Sequence, residues 1–91
     1  MNGSKEWSTN EDLPKAFVVW IKDRIVEQWV RQKKGVVQIA SEIGVKPSLL
    51  SRWMGGKGPL KQSDIRVLAD YFDKGIYTLL GVKRPNNQNQ L

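Results

Sequence analysis

A chain of 91 residues carrying a net charge of +6, with 40% hydrophobic residues and four tryptophans, is a single domain with a real but small core, since a chain this short buries only roughly 60% of its unfolded surface. It has neither cysteine nor histidine, which excludes disulfides, zinc fingers, thiol catalysis and every histidine-dependent acid, base or metal ligand. No apolar run approaches the roughly 20 residues that span a bilayer and no signal-peptide arrangement opens the chain, so a cytoplasmic protein without a membrane partner is expected.

Residues 1–12 are polar, contain Gly3, Ser4, Ser8, Thr9 and Asn10, and show no period. They are expected to form a flexible arm, with Trp7 the one residue there suited to docking. Asp12 or a neighbour is placed to cap a helix entered through Pro14, and over residues 16–33 the apolar side chains recur at helical spacing. Val18, Ile21, Ile25 and Trp29 make one stripe, and Val19, Val26 and Val30 a second beside it. So wide an apolar arc fits either a helix wedged between two others or a contact with a second subunit.

Gly35 breaks this helix, and a second is predicted over 36–43 with Val36, Ile39, Ala40 and Ile43 inward. A third follows over 47–54, with proline at its first position. Gly55, Gly56, Gly58 and Pro59 forbid helix. Ile65, Leu68, Ala69 and Phe72 then mark a fourth over 62–72, and Ile76, Leu79 and Leu80 a short fifth that stops at Gly81. Residues 84–91 read as a polar tail, leaving 13–83 as the folded domain. With no strand-like alternation, the fold class is all-α.

The stretch VQIASEIGVKPSLLSRW, from Val37 to Trp53, has the pattern of two helices crossing at a tight turn. Ala40 lets the second helix pass close, Gly44 supplies the positive φ of the turn, and Val45 fills the corner. At about 100° per residue, Leu50 and Trp53 share the buried side of the third helix, and Ser48, Ser51 and Arg52 fall towards the opposite side, with Leu49 at the edge. A guanidinium fork with two hydroxyls suits base edges in a major groove; the alternative for Arg52 is a surface arginine paired with Glu42 or unpaired. Lys46 precedes Pro47 and is a poor side-chain cap, so the free amides of that helix start call for water or a phosphate oxygen.

Residues 1–12 hold one lysine against three acids, whereas between Gly44 and Ser63 stand Lys46, Arg52, Lys57 and Lys61 with no acid. A polyanion is the matching partner. Lys46, Lys57 and Lys61 suit phosphate contacts, and Gln38 is placed to reach the same backbone. Arg31, Lys33 and Lys34 either complement the dipole of the first helix or approach the nucleic acid.

With these residues in place, the chain resembles the phage-repressor and Cro-type (xenobiotic-response-element-like) helix-turn-helix family. IASEIGVKPSLLSRW matches its motif, KQSDIRVLADYF its following helix and IYTLLGVKRP its closing helix. The resemblance implies a five-helix lambda-repressor-like bundle that binds operator DNA as a homodimer. Its base-reading positions fall on Pro47, Ser48, Ser51 and Arg52, with Lys46 at a backbone-contacting position. Two places depart from the family pattern. Gly35, Val36 and Val37 stand where a hydroxyl cap and a glutamine usually open the second helix, and Pro47 replaces a side chain that often reads a base.

The expectation is therefore a non-enzymatic, sequence-specific double-stranded DNA-binding regulator, a repressor of phage or bacterial type, with no cofactor, metal or catalytic residue. The alternative is a protein-interaction module of the same fold, an antitoxin or an adaptor of a toxin, polymerase or recombinase, using Val19, Val26 and Val30 of the first helix.

Overall fold

The computed structural model describes residues 5–83. Five helices follow one another: α1 (Lys15–Gln32), α2 (Val36–Ile43), α3 (Pro47–Met54), α4 (Gln62–Tyr71) and α5 (Gly75–Leu80). Among the described residues the only strand-like pairings are two isolated bridges, Trp7 with Leu60 and Asp12 with Lys57. The domain is all-α and contains a helix-turn-helix formed by α2 and α3. The tail expected over 84–91, and residues 1–4 of the expected arm, lie outside the described residues.

The helix-turn-helix closes as its residues require. Gly44 adopts φ 92° at the end of α2, a conformation that a side chain disfavours, and the amides of Gly44 and Val45 both donate to the Ala40 carbonyl at 2.8 and 2.9 Å. Ala40 is fully buried beside Ile39, and Leu50 and Trp53 return from α3 with no exposure. Phe17 and Ile21 of α1, Leu60 of the α3–α4 loop, Ile65 and Leu68 of α4 and Ile76 of α5 complete the enclosed core.

The first helix is rotated relative to the expected stripes. Its buried residues are Phe17, Trp20, Ile21 and Ile25. α1 does lie against two helices, α3 and α5, but they leave part of its apolar arc uncovered: Trp29, the last residue of the first stripe, is 53% exposed, and Val19, Val26 and Val30 are 58%, 58% and 64% exposed. Aromatic contacts set this rotation. Trp20 stacks near Phe17, with centroids 6.0 Å apart, and meets Phe72 edge-on at 5.6 Å. Its indole Nε1 donates to Asp73 at 3.4 Å, and Arg24 pairs with the same carboxylate at 3.5 Å. These contacts hold α1 against the α4–α5 corner, and past Ile25 α1 has no fully buried residue.

The described part of the N-terminal segment is docked, not flexible. The Trp7 amide donates to the Leu60 carbonyl at 2.9 Å, the Leu60 amide returns a bond to Trp7 at 2.8 Å, Gly58 donates to Glu11, and Leu13 donates to Gly56. Trp7 and Leu13 are buried. Burying two large apolar side chains and pairing the backbone of an otherwise unsatisfied loop outweighs the polar composition that suggested disorder. Asp12 does not cap α1, whose N-cap is Pro14 without a side-chain bond; it pairs with Lys57.

Candidate nucleic-acid interface

The outer face of α3 is built by the burial of its inner one. Leu50 and Trp53 point into the core, and the Trp53 indole donates to the Pro59 carbonyl at 2.7 Å, which fixes the helix to the loop that follows it. Lys46, Pro47, Ser48 and Ser51 are thereby exposed, with Leu49 half-buried at the edge. No side chain caps the start of α3. The amides of Leu49 and Leu50 both go to the Lys46 carbonyl, at 3.0 and 3.1 Å, and Pro47 has none.

Arg52 is half-buried and is neither unpaired nor bound to Glu42. Its Nε donates to the Gly58 carbonyl at 2.8 Å and its Nη2 to the Asn10 side-chain oxygen. These two bonds use the side edge of the guanidinium, where the Nε and Nη2 hydrogens lie parallel. The end edge, formed by Nη1 with the second hydrogen of Nη2, retains its donors. Asn10 reaches this place from a tight turn over residues 8–11 in which its own φ is 68°, a conformation asparagine tolerates better than most residues. The turn is closed by the Glu11 amide on the Ser8 carbonyl and by the Ser8 amide on the Glu11 carboxylate, at 2.9 and 2.8 Å.

The other expected contact residues belong to α2, the start of α3, the loop after it and the residue before α4. Lys46 is exposed at the start of α3. Lys57, on the loop after α3, is paired with Asp12. Lys61 is exposed just before α4, where its backbone amide is held by Asp64 at 2.9 Å. Gln38 donates instead to Glu42 at 3.3 Å. Glu42 is the centre of a small network, accepting also from Tyr71 at 2.5 Å and from Lys34 at 3.0 Å. The Tyr71 bond and the Lys34 ammonium hold the Glu42 carboxyl below its ordinary pKa. Burial, together with Glu42, pushes the Tyr71 phenol up to about 12. Lys34 therefore serves the junction of α2 with α4, and Lys33 ends α1 in a left-handed conformation with its ammonium 5.5 Å from the Trp29 ring.

Asn10 was missed in the sequence because its partner is 42 residues away. The available signal was the turn-forming run STNED, which places a short side chain where φ is positive.

Among solved structures, this chain resembles the solution structure of the SOS-response transcriptional repressor LexA from Eubacterium rectale, with a TM-score of 0.52 and 23% identity over 82% of this chain and 80% of that one. At that identity the likeness is one of fold. No family model matches the sequence, and no curated protein matches it.

Proposed function

We propose that the protein is a helix-turn-helix transcriptional regulator that places α3 in the major groove of double-stranded DNA, acting as a repressor of the phage or bacterial type by occupying an operator. The observation that carries this reading is the outer face of α3, where the free edge of the Arg52 guanidinium stands with the exposed Ser48 and Ser51 on a surface bordered by Lys46, Lys57 and Lys61. An arginine held along its side edge presents its end edge as a preset fork for guanine O6 and N7, without the entropy loss of ordering a free side chain. Ser48 and Ser51 accept or donate to several bases, and Pro47 offers only apolar contact. Lys46, Lys57 and Lys61 neutralise phosphates, and Gln38 joins them if it exchanges Glu42 for a phosphate oxygen.

This role needs no cofactor, fits a cytoplasmic protein on the nucleoid, and suits a homodimer on a two-fold operator. Titrating a promoter fragment at several salt concentrations tests it: the logarithm of affinity should fall linearly with that of salt. Binding indifferent to salt, or no discrimination between any selected site and random DNA, contradicts it.

A second reading, a protein-interaction module such as an antitoxin or an adaptor of a toxin, polymerase or recombinase, is favoured by the exposure of Val19, Val26 and Val30. Co-purification of a partner through α1 with no retardation of any DNA would support it.

A further inference from the structure

We propose that the outer face of α1 is an interface between two copies of this chain, lying side by side with their α1 helices running in the same direction. Scattered single hydrophobic residues on a surface are ordinary; these are aligned. At about 100° per residue, Val19, Val26 and Val30 fall within about 40° of one another on α1, with Trp29 beside them. They are 58%, 58%, 64% and 53% exposed, and the opposite side of the helix is already spent on Phe17, Ile21 and Ile25. Nothing among the described residues covers this face.

The charges beside this seam identify the occupant. Lys15 and Lys22 lie along one flank and Asp23 and Glu27 along the other. Lys22 and Asp23 have no ion-pair or hydrogen-bond partner among the described residues, while Glu27 holds Arg24 through one oxygen at 3.1 Å. A two-fold axis parallel to α1 sets the basic flank of each copy against the acidic flank of the other, bringing Lys22 to Asp23 and Glu27 of the second copy. A two-fold axis perpendicular to α1 sets lysine on lysine and acid on acid. The sequence of the face is thus self-complementary in one orientation only, with valines in the seam and opposite charges at both borders.

Parallel pairing also places the same end of both domains together. The start of α1 is tied to the end of α3 through the Leu13 amide on the Gly56 carbonyl at 2.9 Å, so both α3 helices lie towards one end of the dimer. The interface itself does not depend on the DNA-binding reading.

Sedimentation equilibrium of the full chain, without DNA and at low salt, provides the test. The wild-type chain should dimerise, and Val26→Glu should raise the dimer dissociation constant at least tenfold or so, because a carboxylate would enter the seam. The Lys22→Glu chain, and separately the Asp23→Lys/Glu27→Lys chain, should each self-associate more weakly than wild type, and an equimolar mixture of the two should recover dimers, with the difference shrinking at high salt. Recovery in the mixture shows that both variants fold, and a circular dichroism melt of each checks this independently. A wild-type chain that stays monomeric, a Val26→Glu chain that associates as well as wild type, or charge variants that each pair as tightly as wild type would overturn the proposal. Capture of a different protein by a monomeric wild-type chain would do the same.

Discussion

Asn10 accepts a hydrogen bond from Arg52 across 42 residues of sequence, and the Gly58 carbonyl holds Nε of the same guanidinium at 2.8 Å. Arg52→Ala should remove about 1–3 kcal/mol of discrimination at one base step while leaving binding to random DNA nearly unchanged. Asn10→Ala keeps the charge and loosens the fork, so it should lower specificity by a smaller amount in the same direction. Binding to a selected site and to its single-base variants reads both. Equal losses on selected and random DNA for Arg52→Ala would remove it from base reading.

The N-terminal segment is part of the fold, and its removal should be felt globally. Trp7→Ala deletes a buried indole and should cost about 3 kcal/mol, a large share of the 5–15 kcal/mol typical of a domain. A Cβ at Gly58 would stand 2.4 Å from the Ser8 carbonyl oxygen and 3.2 Å from that of Trp7. Both neighbours are backbone, so Gly58→Ala must push the segment away, at about 1–3 kcal/mol. Chemical denaturation followed by tryptophan fluorescence measures each. A flexible arm would leave both variants as stable as wild type.

Asp12 neutralises one of the cations assigned to DNA. Asp12→Asn removes its charge beside Lys57 without shortening the side chain, and it should tighten binding to specific and random DNA alike, steepening the salt dependence by about one phosphate equivalent. Lys57→Ala should weaken all sequences uniformly. Gel retardation over a salt series checks both, and a sequence-dependent effect of either would contradict their assignment to the phosphate backbone.

The Tyr71–Glu42 bond makes stability depend on pH at both extremes. The Tyr71 phenol titrates near 10.0 in the unfolded chain and at about 12 in the folded one. Its contribution is therefore complete below pH 10 and lost as pH rises towards 12. The Glu42 carboxyl lies below its ordinary 4.5 when folded, so its contribution is present above that value and lost as pH falls through the lowered pKa. Tyr71→Phe should flatten the alkaline loss, and Glu42→Gln should bring the phenolate absorbance transition back towards 10.0. An unchanged transition in Glu42→Gln would show that burial alone raises the phenol.

The helix-turn-helix was legible in the sequence because its constraints are local. Ile39, Ala40, Ile43, Gly44, Leu50 and Trp53 act through helical spacings of three and four residues and one positive-φ turn, and the residues themselves carry that information. The same periodicity left the orientation of α1 open. Its apolar residues surround more than half of the helix, and spacing cannot say which part of a wide arc the rest of the chain will cover. Trp20, Phe72 and Asp73 decide that question, with a hydrogen bond spanning 53 residues.

By itself, then, the sequence determined the all-α class, the five helices, the turn at Gly44 and the chemistry displayed by Lys46, Ser48 and Ser51, since each follows from backbone preference and short-range pattern. Tertiary structure alone decided that Trp7 is buried, that Val19, Val26 and Val30 face outward, and that Arg52 is held by Asn10 and Gly58 instead of standing free. Those outcomes depend on pairings between distant segments, where the area buried and the bonds satisfied outweigh what either segment prefers alone.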